Sequence, residues 1–449
     1  MNADATTIHD FAGIGIGPFN LGLACLTRPI PELQGLFLDQ RTDFDWHPGL
    51  MLPGTTLQTP FLADLVSLAD PTHPLSFLNY LKRHQRLYPF YIREDFFVLR
   101  REYNQYCRWA ARQCPQLRFG HALQSVSHEA ARGLYRLQGM ARKPGSATAT
   151  AFDFLARRLV LGIGSEPWLP ACCRPWAGHL THSADYLSHK AALQRRSHIT
   201  IVGGGQSAAE IFHDLLQEQP AHGYRLTWLT RSPRFVPLEY TRLTLEMTSP
   251  DYIDYFHALP ETTRDHLLAG QSHLYKAINA SLINAIYKLM YQHSVEGLSA
   301  PCLLTGTELR ECRHDPATKG FHLQLWQRES GQGFALETEG LVLATGYRPR
   351  HADFLAPIED RIARDSQGRY QVARNYSIDH QGSEIFVQNA ALHSHGLASP
   401  DLGMACHHNT CIIEAMLGRP WYPIEPRIAY QTFGPLVPAD HGIPAGPPA

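Results

Sequence analysis

The sequence predicts an α/β fold with two parallel-sheet units and a helical insertion. Three observations carry this. A strand–turn–helix with three close glycines opens the chain, "DFAGIGIG" running into "PFNLGLACLTR". A second follows at 197–217, "SHITIVGGG" running into "QSAAEIFHDLLQ". Between about 236 and 299 the apolar residues turn to helical spacing.

Each glycine turn is followed by another apolar strand, "GLFLDQ" (35–40) and "RLTWLTR" (225–231). Met twice, this is the βαβ pattern of a nucleotide-binding unit. "ARRLVLGIG" (156–164) and "EGLVLATGYRP" (339–349) are further strands ending in glycine. Within "SHLYKAINASLINAIYKLMYQHS", Leu274, Ile278, Leu282, Ile286 and Leu289 recur at helical spacing, which makes the region a helical insertion or a small third domain.

Composition narrows the possibilities. The chain has 449 residues, long enough for two or three domains, and 44% are hydrophobic. A formal net charge of −1 favours neither nucleic acid nor an anionic membrane as partner. No apolar run reaches the roughly 18 residues of a membrane span. The start, "MNADATTIHD", has neither a basic region nor an apolar core, so no secretion signal is read and the cytoplasm is the expected location. Nine scattered cysteines with no CxxC pair suggest reduced thiols. Histidines cluster in "HSH" (393–395) and "HHNTC" (407–411), and His407 and Cys411 share a helix face. No carboxylate or further cysteine completes a ligand set, so no metal is expected.

A phosphate must be approached by backbone N–H groups, and side chains at the turn block that approach. The first turn reads Gly15-x-Gly17-x-x-Asn20, with Pro18 opening the helix. Asn20 replaces the usual third glycine and would leave more room or supply a hydrogen bond. Asp39 closes the next strand, 22 residues after Gly17, where an acid can accept hydrogen bonds from a ribose. That suits FAD or NAD. The second turn reads Gly203-x-Gly205-x-x-Ala208, and its following strand ends in Arg231 and Ser232 rather than an acid. A cation and a hydroxyl suit the 2′-phosphate of NADP, unless Arg231 is only a solvated loop residue. Two turns with different preferences point to a resident FAD and a visiting NADPH that passes it hydride. The fold expected is therefore two Rossmann-like dinucleotide-binding domains plus a helical substrate-binding insertion. "GQSAA" (205–209) could instead be a hydrolase elbow around Ser207. Such an elbow reads G-x-S-x-G, here the last glycine is Ala209, and the first turn would stay unexplained. A nonenzymatic NADP-binding protein would not need the first turn either.

Taken together, "GIGPFNLGLA", "DWHPGLMLPGTTLQTPFLADLVSLADPTHPLSFLNYL", "VGGGQSAAE", "ATGYRP" and "HSHGLASPDLGM" resemble the flavin-dependent N-hydroxylating monooxygenases of siderophore biosynthesis, from about residue 10 to about 425. These act on lysine, ornithine or diamines. The resemblance implies that NADPH reduces FAD, that reduced FAD takes up O₂ as a C4a-hydroperoxide, and that a terminal amine attacks it to become a hydroxylamine. No covalent nucleophile is needed; Gln58 and Asn389 are implied as positioning residues. The FAD site implied comprises Gly15, Gly17, Pro18, Asn20, Asp39, Trp46, His47, Gln58, Val126, Pro400, Asp401 and Leu402. The NADPH site comprises Gly203, Gly205, Gln206, Ser207, Arg231 and Tyr275. A homo-oligomer, tetramer or dimer, is also implied.

The departures from the family are informative. Its amino-acid hydroxylases read F-L-K-D-L, with the lysine on the substrate's carboxylate, where this chain has Ala63. Two asparagines of the ornithine enzymes fall on Leu245 and Leu274, and a serine on Gly403. With Glu246 and Asn279, these make up the expected substrate pocket. A substrate without a carboxylate follows, a diamine such as putrescine or cadaverine. Its distal ammonium would want an anion, for which Glu239, Glu246, Asp251 and Asp254 are candidates, each of which could equally be solvating a helix. The alternative is lysine or ornithine, its carboxylate held by Lys276 or Arg242. The boundaries expected are an FAD domain at 1–190 and 341–432, an NADPH domain at 191–235 and 300–340, the helical region at 236–299 and a disordered tail at 433–449.

Overall fold

The computed structural model describes residues 7–143, 145–146, 148–425 and 427–435. The first unit is built on a parallel sheet in the order Ile385–Val387, Leu159–Leu161, Phe11–Ile14, Gly35–Asp39, Leu117–Phe119. Its central strands are almost wholly buried, as a sheet covered on both faces requires. An antiparallel ladder, His121–Glu129, Leu134–Arg142 and Ala149–Ala156, stands beside it. The second unit has its own parallel sheet, in the order Thr181–His182, Gly340–Leu343, His198–Val202, Arg225–Leu229, Cys302–Leu304. A three-stranded antiparallel meander over 307–338 follows the last helix of the insertion.

Strand partners shift the expected boundaries. Gly340–Leu343 pairs with His198–Val202, so the chain returns to the first unit only after residue 343. Thr181–His182 pairs with Gly340–Leu343, so the second unit begins before residue 191. A strand's hydrophobicity marks it as a strand but does not say which sheet it joins. Where the chain crosses between the units it does so twice side by side, Ser165–Pro167 running antiparallel to Tyr347–Pro349.

The insertion is helical: Arg242–Leu245, Pro250–Ala258, Glu261–Gly270 and Ala280–Val295. The helical spacing from Leu274 to Leu289 does not form one helix. Leu274 lies in a short turn, and the last helix begins only at Ala280. Ile278 is pulled out of helical geometry by strand-like pairing, its N donating to Val236 O (3.0 Å) while its O accepts from Leu238 N (2.7 Å). Phe433, placed by the sequence in the tail, packs 5.0 Å from the ring of Tyr252. Residues 436–449 of that expected tail lie outside the described residues. Among the described residues no helix is long and apolar enough to cross a membrane.

The first glycine turn shows why glycine is needed. Gly15 has φ +87°, and a Cβ there would sit 2.4 Å from Gly162 O. Gly17 differs: a Cβ would meet nothing within 4 Å. We expect Gly15→Ala to lose about 2–4 kcal/mol of stability, seen as a lower urea midpoint, because strain and clash coincide. Gly17→Ala should stay within about 1 kcal/mol of the parent.

Candidate active site between the glycine turns

A groove of about 1090 Å³ runs along the first turn. Gly15, Gly17, Pro18, Asn20 and Asp39 line one side of it. Trp46, His47, Asn389, Pro400 and Leu402 line more of it. The space above Gly17, at the amino end of the Pro18–Thr27 helix, is what a pyrophosphate needs, so this groove fits a dinucleotide such as FAD.

Asn20 supplies hydrogen bonds rather than room. It is fully buried, its Nδ2 donates to Gly15 O (2.8 Å), and a Cβ on Gly162 would meet it at 2.5 Å. Asp39 faces the groove but already serves its own loop. Its Oδ2 accepts from Ile16 N (2.8 Å) and Arg41 Nη2 (2.8 Å), and its Oδ1 accepts from Arg41 N (2.8 Å). A ribose would share a carboxylate that first holds the turn in shape. Val126 does not reach the groove; it is fully buried in the core, and Leu123 and Gln124 form the wall. A β-bulge between Leu123 and Ser125 turns consecutive residues outward there.

A second cavity of about 390 Å³ meets the first along Trp46, His47, Leu50, Tyr347, Pro400 and Leu402. Gln58, Gln206, Ser207 and Tyr275 face it, and Leu245 and Leu274 give it apolar wall. Gln58 and Asp401, both expected against FAD, line this cavity and not the groove. Burial pushes the Asp401 carboxyl above the ordinary range, against a backbone N–H from Gly403 that lowers it. Burial, with Arg100 and Arg41 nearby, holds the His47 imidazole down to about 4.

Several expected residues lie elsewhere. Glu246 accepts from the backbone N–H groups of Tyr430 (3.0 Å) and Gln431 (3.0 Å), and these bonds hold its carboxyl below the ordinary range. Asp251 is engaged the same way by Ile428 N (3.0 Å), and Asp254 by Arg374 (2.6 Å). Asn279 contributes only its backbone N, which donates to Gln206 Oε1 (2.8 Å). Ala63 and Gly403 lie outside the cavity wall but beside each other, a Cβ on Gly403 falling 3.9 Å from Ala63 Cβ.

On the second turn, a Cβ on Gly203 would stand 2.3 Å from Ala344 O, and Gly205 caps the Gln206–His222 helix. Arg231 is exposed just past the Arg225–Leu229 strand. Ser207 has no base bonded to it among the described residues, which leaves the hydrolase alternative without its machinery. His407 Nε2 lies 3.6 Å from Cys411 Sγ, as their spacing implied. Among the described residues no group of three or more His, Cys, Asp or Glu could hold a metal.

The sequence reading missed the contact that ties the first unit to the second glycine turn. Arg100 forms a bidentate pair with Glu210 (2.7 Å and 2.7 Å), 110 residues away. Gln206 Nε2 donates to the same carboxylate (2.8 Å), and Gln58 Nε2 reaches Gln206 Oε1 at 3.5 Å. No local motif announces a pair so distant in sequence.

Known proteins share this architecture. The profile of the L-lysine 6-monooxygenase/L-ornithine 5-monooxygenase family matches residues 7–349. The chain is 51% identical to an alcaligin biosynthesis enzyme of Bordetella pertussis over 433 residues, covering 96% of this chain and 93% of that one. It is 50% identical to a putrescine N-hydroxylase of Shewanella oneidensis over 436 residues, covering 97% of this chain and 86% of that one. The crystal structure of the FAD-bound cadaverine monooxygenase of the desferrioxamine pathway from Erwinia amylovora superposes with a TM-score of 0.93 at 51% identity, covering 96% of this chain and 100% of that one.

We expect Arg100→Met or Glu210→Gln alone to cost about 3 kcal/mol or more, because each leaves a buried charge or its donors unpaired. The double variant should cost at least about 2 kcal/mol less than the sum, measured as a double-mutant cycle on denaturation midpoints.

Proposed function

The chain belongs to the L-lysine 6-monooxygenase/L-ornithine 5-monooxygenase family, and we propose that within it this enzyme N-hydroxylates an aliphatic diamine, putrescine or cadaverine, for a hydroxamate siderophore. One observation carries the substrate. The charged residues lining the second cavity, apart from His47, are Arg100, Glu239 and Asp401, and Arg100 is spent on Glu210. An amino acid's carboxylate would meet two acids and no free cation. Neither Arg242 nor Lys276, the alternatives for holding it, lines the cavity. The relatives named for putrescine and cadaverine agree with this reading.

FAD is assigned to the groove, on Gly15, Gly17, Asn20 and Trp46, and NADPH to the second turn, on Gln206 and Ser207 of the cavity wall, with Gly205 capping their helix and the exposed Arg231 beyond the next strand. When bound, they supply the two electrons and the activation of O₂. The chain supplies the rest. An alkyl ammonium has a pKa near 10.4, so only about one in 10³ is neutral near pH 7, and only the neutral amine has a lone pair. Leu50, Pro400 and Leu402, which line both cavities, make the end beside the groove apolar, which excludes water and disfavours the charged form. Gln58, at the cavity wall, and Asn389, held at φ +52° on the groove, are assigned to orient the partners. A homo-oligomer is part of this reading: Tyr287, Tyr291 and Val295 leave an exposed apolar stripe on the Ala280–Val295 helix.

With NADPH and O₂, hydroxylamine formation should favour putrescine or cadaverine over lysine and ornithine by about 100-fold in kcat/KM. Lysine product above both diamines would overturn the assignment. Arg231→Ala should raise the KM for NADPH about tenfold and leave NADH use unchanged, as the loss of one charged hydrogen bond predicts. A variant that keeps the parent's NADPH preference would remove Arg231 from the site.

A further inference from the structure

We propose that Asp401 is the residue that selects a diamine, its carboxylate binding the distal ammonium while the other amine faces the flavin groove. This rests on the diamine reading above and names the group that enforces it.

The local geometry points one way. Pro400 and Leu402 each line both the groove and the second cavity, and Asp401 between them lines the second cavity alone. The carboxylate is fixed in place, since Oδ1 accepts from Gly403 N at 2.7 Å. Oδ2 has no hydrogen-bond or ion-pair partner among the described residues. A charge removed from bulk water and left unpaired is costly, and an arriving ammonium removes that cost. Among the described residues that line the cavity the one arginine or lysine is Arg100, and it is paired with Glu210. A Cβ on Gly403 would lie 3.2 Å from Asp401 Oδ1 and 3.9 Å from Ala63 Cβ, so the nearby side chain is a methyl group. Tyr240, whose phenol is pushed up by burial and then by Asp401, lines the same side and brings no positive charge.

The other acids are committed. Glu239 is exposed, accepts from Thr244 Oγ1 (2.7 Å) and lies 3.4 Å from His273 Nε2. Glu246, Asp251 and Asp254 hold the 428–431 segment and Arg374. Asp401 alone combines a place on the wall of the second cavity, away from the groove, with an unshared oxygen.

The test uses Asp401→Asn in the full-length holoenzyme. Asparagine keeps an oxygen for Gly403 N and removes the charge. Steady-state hydroxylation is compared for putrescine, cadaverine, n-butylamine and n-pentylamine, with the flavin-to-protein ratio recorded. In the parent, each monoamine should have a KM at least about 30-fold above that of the matching diamine. In the variant, the diamine KM should rise by about that factor, while monoamine KM and flavin content stay within about threefold. Parallel loss of both amine classes, or an unchanged diamine preference, overturns the proposal. So does a Glu239→Gln variant that abolishes the preference where Asp401→Asn does not. A parent that hydroxylates an amino acid and neither diamine removes the functional reading, and this inference falls with it. A parent active on diamines with an indifferent Asp401→Asn removes this inference alone.

Discussion

The pair of Arg100 with Glu210 is the constraint on which the site depends. Arg100 opens the Arg100–Ala111 helix of the first unit, and Glu210 sits one turn into the helix behind the second glycine turn. Glu210 is 3% exposed and Arg100 15%, so both charges are largely out of water. Such a pair persists only when its geometry is good and its remaining lone pairs are used. Here both conditions hold, through two parallel N–H···O bonds and the added donor from Gln206. Gln206 is the first residue of its helix and also holds the backbone of Asn279, so the pair sets where the second turn faces and where the last helix of the insertion begins.

The same pair shapes the electrostatics of the cavity. Arg100 reaches its wall, and a free guanidinium there would welcome a carboxylate. Neutralised by Glu210, it is not available to offset Asp401. Assembly of the two units therefore consumes the one cation among the lining residues that could have read an amino acid. The absence of a lysine at residue 63 is only half of the argument, because another base could have replaced it. What the packing adds is that none among the lining residues is free to do so.

The sequence revealed the parts governed by local chemistry. The glycine turns, their strands and the helical insertion follow from periodicity and from steric limits at Gly15 and Gly203, and all of them are present. Gly15, Gly17, Asn20 and Asp39 on the groove follow for the same reason, whereas Trp46 and His47 were implied by the family resemblance. The failures share one physical origin, that distant partners decide them. Ile278 lost its helix to backbone pairing with Val236 and Leu238. Glu246 and Asp251 were drawn away by the carboxy-terminal segment. A bulge turned Leu123 and Gln124 outward while Val126 stayed in the core. Asp401 was identified as a site residue, but its side of the wall depends on which neighbours face which cavity.

A symmetric diamine poses a problem that an amino acid does not, since its two ends are chemically alike and only one can react. The enzyme must hold one end charged and the other neutral. Two cations on one short chain repel, so the second proton of a diamine is already easier to lose than that of an isolated amine. An anion at one end and hydrocarbon at the other then act in the same direction. The anion fixes the proton on the distal nitrogen, and leucine and proline side chains beside the groove disfavour it on the proximal one. On this reading one asymmetric cavity both selects the substrate and prepares its nucleophile, and the substrate's own charge repulsion supplies part of the cost of deprotonation.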